Sequence, residues 1–298
     1  MDGTQRVALV AGATRGAGRA IAVELARAGF FVYATGRSSR EGRSEIDRPE
    51  TIEDTGDLIA EVGSGRALRV DHLDVDAVRA LVSTIAEKQG RLDVLVNDIF
   101  GGDRYAQWDT PLWRHDLDGG LRMLRMGIDT HIITSVVALP LMLTGERGLV
   151  IEVTDGTSAV NARVRPSVGF YYDFVKASID RLVRNLTFEL RGTAVSALGV
   201  TPGWLRSENT LEIFGVSEDN WRDALAKDEG FGISESPTYL ARGVAALASD
   251  KDASRFAGTV LTSFDLAETY GVTDIDGSRP NCWGLFDDHG WGPNSAEV

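Results

Sequence analysis

The sequence predicts an α/β fold, one doubly wound parallel sheet in a single domain, and three observations carry that prediction. Short β-rich runs alternate with helical patterns along the chain, at Val7 to Ala11, Phe31 to Thr35, Ala67 to Val70, Val94 to Asn97, Leu149 to Val153, Val195 to Val200 and Thr259 to Thr262. This is the rhythm of strands joined by crossover helices. The runs lack polar alternation, as strands covered on both faces do. Between them the apolar residues fall at helical spacing: Ile21, Leu25 and Ala28 lead to Gly29, and Val75, Val78, Val82 and Ile85 lead to Gly90. Each glycine stands where a helix can end in the left-handed conformation.

Two stretches break the rhythm. Ser38 to Ser64 is polar and rich in Arg and Glu, and reads as a loop followed by a helix from about Thr51. Leu205 to Pro237 is an insertion in which Phe214, Trp221 and Phe231 are mixed with acids, just after Trp204. It reads as a lid over a substrate pocket or as a helical pair packed on the body. From Gly271 to Val298 a turn-rich C-terminal extension is expected on the surface. Its Asp274, Asp276, Asp287 and Asp288 lack the ligand spacing of a calcium loop, and no metal is expected.

Composition narrows the function. The 298 residues are 43% apolar, enough for a sizeable core, and 31 Lys and Arg against 44 Asp and Glu leave a formal charge of −13. That sign repels nucleic acid phosphates and anionic lipid, so neither is an expected partner. Cys282 stands alone, which rules out an internal disulfide or a Cys-rich zinc site. The first residues do not read as a secretory signal, and the most apolar later run, Ile132 to Leu143, is short for a membrane span. A cytoplasmic protein is the expectation.

The first chemical motif is Gly12-Ala13-Thr14-Arg15-Gly16-Ala17-Gly18, placed directly after the first strand and before an amphipathic helix. Glycines there allow a tight turn and close backbone approach to a pyrophosphate, while the helix N-terminus presents unpaired N–H donors. The fold is therefore expected to be a Rossmann-type dinucleotide-binding one. At the end of the second strand, where a carboxylate would accept from a bare ribose, the sequence reads Ala34-Thr35-Gly36-Arg37-Ser38-Ser39-Arg40. Arg37, with Arg15 from the glycine loop, suits a 2′-phosphate, so NADP(H) is expected over NAD(H).

The second motif is Tyr172-Asp173-Phe174-Val175-Lys176, whose four-residue step puts a phenol and an ammonium on one helix face. An ammonium beside a phenol makes it a usable acid near neutrality. Thr201-Pro202-Gly203 follows at the end of the sixth strand.

With Gly12, Gly16 and Gly18 spaced Gly-x-x-x-Gly-x-Gly and Tyr172 four before Lys176, residues 5 to 270 resemble the classical short-chain dehydrogenase/reductase family. The resemblance implies that Asp71 contacts adenine and that Asn97-Asp98-Ile99-Phe100-Gly101-Gly102 stands where the family writes Asn-Asn-Ala-Gly. It also implies that Pro202, Gly203, Leu205 and Ser207 belong to the segment holding the nicotinamide carboxamide. By resemblance, too, Tyr172 donates the proton, Lys176 lowers the phenol pKa and holds the nicotinamide ribose, and the chain forms a homodimer or homotetramer. The implied substrate is a small carbonyl compound or alcohol. A catalytically weak cofactor-binding sensor of the same fold is the alternative.

Two positions depart from the family pattern. Strand alignment puts Asp155 at the place of the family serine, whereas counting back from Tyr172 puts Ser158 there; Thr154 and Thr157 are also candidates, and Ser158 is the expected hydroxyl donor. The family's relay asparagine aligns with Gly127; His131, one turn on, could compensate, although beside Ile132 and Ile133 it reads as a packed core residue. Phe100, Trp108, Trp113, Trp204 and Phe214 would make an apolar pocket.

Overall fold

The chain is described by a computed structural model covering residues 5–289. Seven strands form one sheet among these residues: β1 (Val7–Ala11), β2 (Phe31–Gly36), β3 (Ser64–Arg69), β4 (Val94–Asn97), β5 (Gly148–Val153), β6 (Val195–Thr201) and β7 (Val260–Thr262). They run in the order β3-β2-β1-β4-β5-β6-β7, every pairing parallel. The doubly wound parallel sheet is thus as the apolar rhythm predicts. β3 begins at Ser64, ahead of the apolar run, because this edge strand is only half-buried and carries Ser64, Arg66 and Arg69 in the ladder.

The connecting helices are α1 (Gly16–Arg27), α2 (Ile52–Val62), α3 (Val75–Gln89), α4 (Leu117–Leu124), α5 (Thr130–Met142), α6 (Ser158–Asn161), α7 (Phe170–Glu189), α8 (Glu208–Phe214), α9 (Pro237–Ser249), α10 (Ser263–Tyr270) and α11 (Cys282–His289). On one face of the sheet Ile21 and Leu25 of α1, Ile59 of α2, Leu240 and Val244 of α9 and Leu266 of α10 pack on Val32, Val96 and Ile151. On the other, Val78 and Ile85 of α3, Ala138 and Met142 of α5 and Leu186 of α7 pack on Leu9, Leu95 and Val150. Both faces of every central strand are covered, which is why the strands read as unbroken apolar runs.

Local signals set the helix ends. Thr51 caps α2 by accepting from the Asp54 N–H while Asp54 returns the bond, and Asp74 caps α3. Gly90 closes α3 at φ 69°. β1 pairs with β2 on one side and β4 on the other, so the chain reverses direction of winding between them and a crevice opens at their carboxyl ends.

From α4 through a π-helical turn at Arg125–Asp129 to α5 the chain makes one helical rod, Leu117–Met142, long and apolar enough to cross a membrane by length and composition. It exceeds the apolar run read from the sequence because Gly127 does not break it. The rod belongs to the helical layer of the sheet, with Met123, Ala138 and Met142 fully buried. A Cβ at Gly127 would overlap Val175 of α7, so glycine lets α7 cross closely there.

The insertion after β6 folds as α8 and two short 3-10 turns, Trp221–Ala226 and Glu229–Ile233, around a cluster of Trp204, Phe214, Trp221 and Phe231. Arg206, 1% exposed, ties it down: its guanidinium donates to Glu218 at 2.7 and 3.0 Å, to the Ser234 carbonyl at 2.7 Å and to Asp274 at 3.3 Å, and lies 4.1 Å from the Trp221 ring centre.

That last partner corrects the expected surface tail. Asp274 is buried, accepting also from Ser236, while Cys282 and Trp283 of α11 are buried beside β6. The turn-rich composition hid an anchored segment because a few buried side chains, not an apolar run, hold it. Asp276 pairs with Arg222. The side chains of Asp287 and Asp288, and residues 290–298, lie outside the described residues.

Removing one partner of a buried ion pair leaves the other charge uncompensated, at a cost of roughly 3–5 kcal/mol. Arg206→Met is therefore expected to lower the unfolding free energy by about that much in urea titration. Hydrogen exchange should rise first at residues 205–236 and 271–283, which Arg206 joins.

Candidate active site

The crevice at the strand ends is one cleft of about 1380 Å³, more than a drug-sized ligand fills and enough for a dinucleotide with a second small molecule. Its floor is the loop from β1 to α1. The backbone N–H groups of Gly12 and Ala13 donate to the Thr35 carbonyl at 3.0 and 2.8 Å, which folds the loop back over β2. Gly12 has φ 92° and Gly16 φ 56°, and a Cβ at Gly12 would overlap the Asp98 backbone. Gly18 does not line the cleft; a Cβ there would overlap the Gly12 carbonyl, so it serves the close packing of α1 on the sheet.

Thr14, Arg15 and Gly16 line the cleft. The Gly16 N–H donates to both carboxylate oxygens of Glu208, at 2.9 and 3.2 Å, with Arg19 3.5 Å from the same group. A carboxylate thus sits at the N-terminus of α1, where donors and helix dipole favour an anion. The loop fits a dinucleotide pyrophosphate by that test.

Arg37 also lines the cleft, but it is not free. It donates to Glu45 at 2.9 Å, and Arg122 of α4 donates to the other oxygen of the same carboxylate at 2.9 Å. The two guanidinium groups hold the Glu45 carboxyl below its ordinary range against the opposing effect of burial. The sequence reading missed Glu45 because it arrives from the polar loop after β2, at no recognisable spacing. Arg40 points away, paired with Asp54 and Asp57 at 2.8 and 2.6 Å.

Asp71 is on the cleft wall and accepts from the Leu73 N–H at 2.9 Å. Asn97 is not: it is fully buried, donating to Ser135 at 3.0 Å and Glu152 at 2.8 Å. The expected cofactor contact by its side chain is corrected accordingly. As the last residue of β4 it points into the α5 layer, where it orders a buried network. His131, 2% exposed, completes that network, with Nδ1 2.5 Å from Glu152 and Nε2 donating to the Ile99 carbonyl at 2.8 Å. His131 is a core residue that also reaches the cleft wall.

Tyr172 and Lys176 of α7 face the cleft together. The Tyr172 ring lies against Phe100 and Trp108, with ring centres 5.6 Å away in both cases, and the Lys176 ammonium sits 3.9 Å from the Phe100 ring centre. Burial lowers the Lys176 pKa, opposed by the charges of Asp155, Asp103 and Asp98. Burial raises the Tyr172 pKa well above 10, and Asp155 adds to it.

The end of β5 decides between the competing serine assignments. Tyr172 donates its hydroxyl hydrogen to Asp155 Oδ2 at 3.0 Å. Ser158 donates to Asp180 at 2.5 Å and is not on the cleft wall. Thr154 donates to the Lys176 carbonyl at 2.9 Å, and Thr157 caps α6. Ser158 is therefore corrected: spacing from Tyr172 misled because α6 and the 3-10 turn at Pro166–Val168 lengthen the connection from β5 to α7.

A residue that neither alignment singled out joins them. Arg165, 9% exposed, donates Nη1 to Asp155 Oδ2 at 3.2 Å and Nε to Asp173 at 2.9 Å.

Pro202, Gly203, Leu205 and Ser207 line the opposite wall, and Ser207 caps α8. The Trp283 indole donates to the Pro202 carbonyl at 2.7 Å and brings α11 to the cleft. Phe100, Trp108, Trp204 and Phe214 line it as expected, whereas Trp113 is 84% exposed and elsewhere.

A dinucleotide-binding crevice, an anion-holding glycine loop and a Tyr–Lys pair facing the same space define an α/β oxidoreductase of the nicotinamide-linked class. The model of the short chain dehydrogenase family matches residues 6–215, and the chain belongs to that family. It is 33% identical over 289 residues to dehydrogenase/reductase SDR family member 1 of Mus musculus, covering 92% of this chain and 84% of that one. It is 25% identical to a 7alpha-hydroxysteroid dehydrogenase of Clostridium sardiniense, over 82% of this chain and 87% of the relative. A putative dehydrogenase from Xanthomonas campestris shares the fold with TM-score 0.73 at 20% identity, over 93% and 94% of the two chains.

Asp98 gives the cleft floor a pH dependence. Burial pushes its carboxyl up to about 7, opposed by Lys176, His131 and a hydrogen bond from the Gly18 backbone. Between pH 3.8 and about 7 the folded protein holds a proton that the unfolded chain has released, so this group's contribution is present at low pH and lost as pH rises through 7. His72, fully buried between Thr35 and Thr134, acts the other way: burial lowers its pKa from 6.5 to about 3, so stability is lost as pH falls below 6.5. Asp98→Asn isolates the first effect. Relative to the parent, the variant should be unchanged near pH 4 and more stable near pH 8, by on the order of a few kcal/mol, in thermal or urea unfolding across that range.

Proposed function

We propose that this chain is an NADP(H)-dependent reductase or dehydrogenase that interconverts a carbonyl and an alcohol on a small, largely apolar substrate, and that it works in the cytoplasm as a homodimer or homotetramer. The observation that carries the reading is Tyr172 and Lys176 facing one cleft with the glycine loop. When bound, the nicotinamide supplies or takes the hydride. Tyr172 holds the proton that the carbonyl oxygen acquires, and Lys176 supplies positive charge beside the phenol once substrate draws its hydroxyl off Asp155. Phe100, Trp108, Trp204, Phe214 and Trp283 exclude water and favour an apolar substrate body.

Support for NADP(H) over NAD(H) is electrostatic. Glu45 offsets only one of Arg37 and Arg122, and Arg15 lines the same cleft as Arg37. A 2′-phosphate would meet net positive charge there, with charge-assisted bonds worth roughly 1.5–3 kcal/mol each.

Fluorescence titration is expected to give tighter NADPH than NADH binding by about tenfold or more, reversed in Arg37→Asp. Glu45→Gln should strengthen NADPH binding further by removing the resident carboxylate. Equal affinity for the two cofactors in the parent protein defeats the assignment.

On a panel of ketones, aldehydes and quinones, Tyr172→Phe should abolish turnover and leave NADPH affinity nearly unchanged. Ser158→Ala should change kcat little, since its hydroxyl is spent on Asp180. Tight NADPH binding by a parent protein that reduces nothing on the panel would point to a sensor instead.

A further inference from the structure

We propose that Arg165 is a catalytic residue, its guanidinium donating a hydrogen bond to the substrate's carbonyl oxygen in the place where the family uses a hydroxyl. The inference rests on the carbonyl–alcohol reading above and deepens it.

The end of β5 needs a donor and holds an acceptor. A carboxylate at Asp155, bonded to the phenol at 3.0 Å, would oppose the negative charge that develops on the carbonyl oxygen. Thr154 and Ser158 donate their hydroxyl hydrogens elsewhere, and Thr157, whose oxygen accepts from the Val160 N–H, is not on the cleft wall. Arg165 answers both difficulties. Its Nη1 shares Asp155 Oδ2 with the phenol, at 3.2 Å, which offsets the carboxylate charge at the oxygen that matters.

The donor count leaves capacity for a ligand. A guanidinium has five N–H donors. Nε is spent on Asp173 and one Nη1 hydrogen on Asp155, while Nη2 is buried with no hydrogen-bond partner among the described residues. Leaving a donor buried and unsatisfied is unfavourable, a penalty that an incoming oxygen relieves. Arg165 lines the cleft beside Tyr172, with its guanidinium carbon 6.0 Å from the ring centre. Two carboxylates, Asp155 and Asp173, fix its plane, so little reorganisation is required of it.

In reduction, hydride adds to the carbonyl carbon and the π pair moves to oxygen. The Tyr172 O–H bond breaks as the alcohol O–H forms. Arg165 keeps all its protons and steadies the oxygen throughout, while Asp155 keeps the guanidinium in place after the phenol has turned away.

The test uses the full chain saturated with NADPH and an unreactive carbonyl probe, isobutyramide, titrated by calorimetry. Arg165→Lys keeps the charge next to Asp155 and Asp173 but loses the forked donors; it should weaken probe binding about tenfold, the scale of one charge-assisted hydrogen bond, with NADPH affinity unchanged. On any ketone the parent reduces, kcat should fall by about 10²–10³. Arg165→Met should lose the probe as well, and Asp155→Ser with Arg165→Met should recover much of the binding, because a hydroxyl now offers the donor.

Parent-like probe binding in Arg165→Lys, no binding by the parent protein, or a double variant no better than Arg165→Met overturns the proposal. If the parent reduces no panel compound yet the probe series behaves as stated, the enzymatic reading fails and the donor role of Arg165 stands.

Discussion

Gly12 and Gly18 bring α1 into contact with the end of β4, and the positions of the other cleft residues follow from that contact. A Cβ at either glycine would overlap backbone, at Asp98 for Gly12 and at Gly12 itself for Gly18. With both absent, the Asp98 N–H reaches the Ala11 carbonyl at 2.9 Å and the glycine loop folds over β2 onto Thr35. The N-terminus of α1 then points into the crevice between β1 and β4, with α7 and its Tyr172 across from it. Nothing about the loop's anion preference requires side chains; it follows from where the backbone N–H groups are aimed.

The same packing buries charge. Asp98, Asp155, Lys176 and Arg165 all line one cleft, and burial is the largest influence on the pKa of Asp98, Tyr172, Lys176 and Arg165. Each charge is tolerable only because an opposite one is close: Arg165 between Asp155 and Asp173, and Lys176 near Asp155 and Asp98. A bound ligand enters this balance as one more partner. Taking the Tyr172 hydroxyl away from Asp155 would leave that carboxylate to Arg165.

What was legible in the sequence follows the range of the interactions involved. Strands and helices rest on local periodicity, and β1, β4 and the cap at Thr51 lie where apolar spacing and capping chemistry place them. The glycine loop and the Tyr172–Lys176 step are local patterns too, each contained in seven residues or fewer. Ion pairs between distant segments are not. Glu45 meets Arg122 across 77 positions and Arg206 meets Asp274 across 68, and no spacing rule anticipates either. Ser158 went astray for a related reason: distance along the chain stands in for distance in space only if the connection has its usual length, and here α6 and a 3-10 turn lengthen it. Asn97 sits where the motif puts it, but strand direction sends its side chain into the core.

The tail and the insertion show why aromatic composition alone could not separate a lid from a packed helical pair. The insertion packs on the body through an aromatic cluster and also contributes residues to the cleft wall. Phe231 is buried in an aromatic cluster stacked on Phe214, with ring centres 4.3 Å apart, while Phe214 and Ile213 also line the cleft. Its stability comes from Arg206 and that cluster, to which α8 contributes Leu211 and Phe214, and α8 is tied to the body as well by Glu208 on the Gly16 N–H and by Arg48 from the loop after β2 on Glu212 at 2.7 Å. An anion arriving at the α1 N-terminus competes directly with Glu208 for that N–H. Arg206, two residues before Glu208, anchors the start of that same helix to buried Asp274.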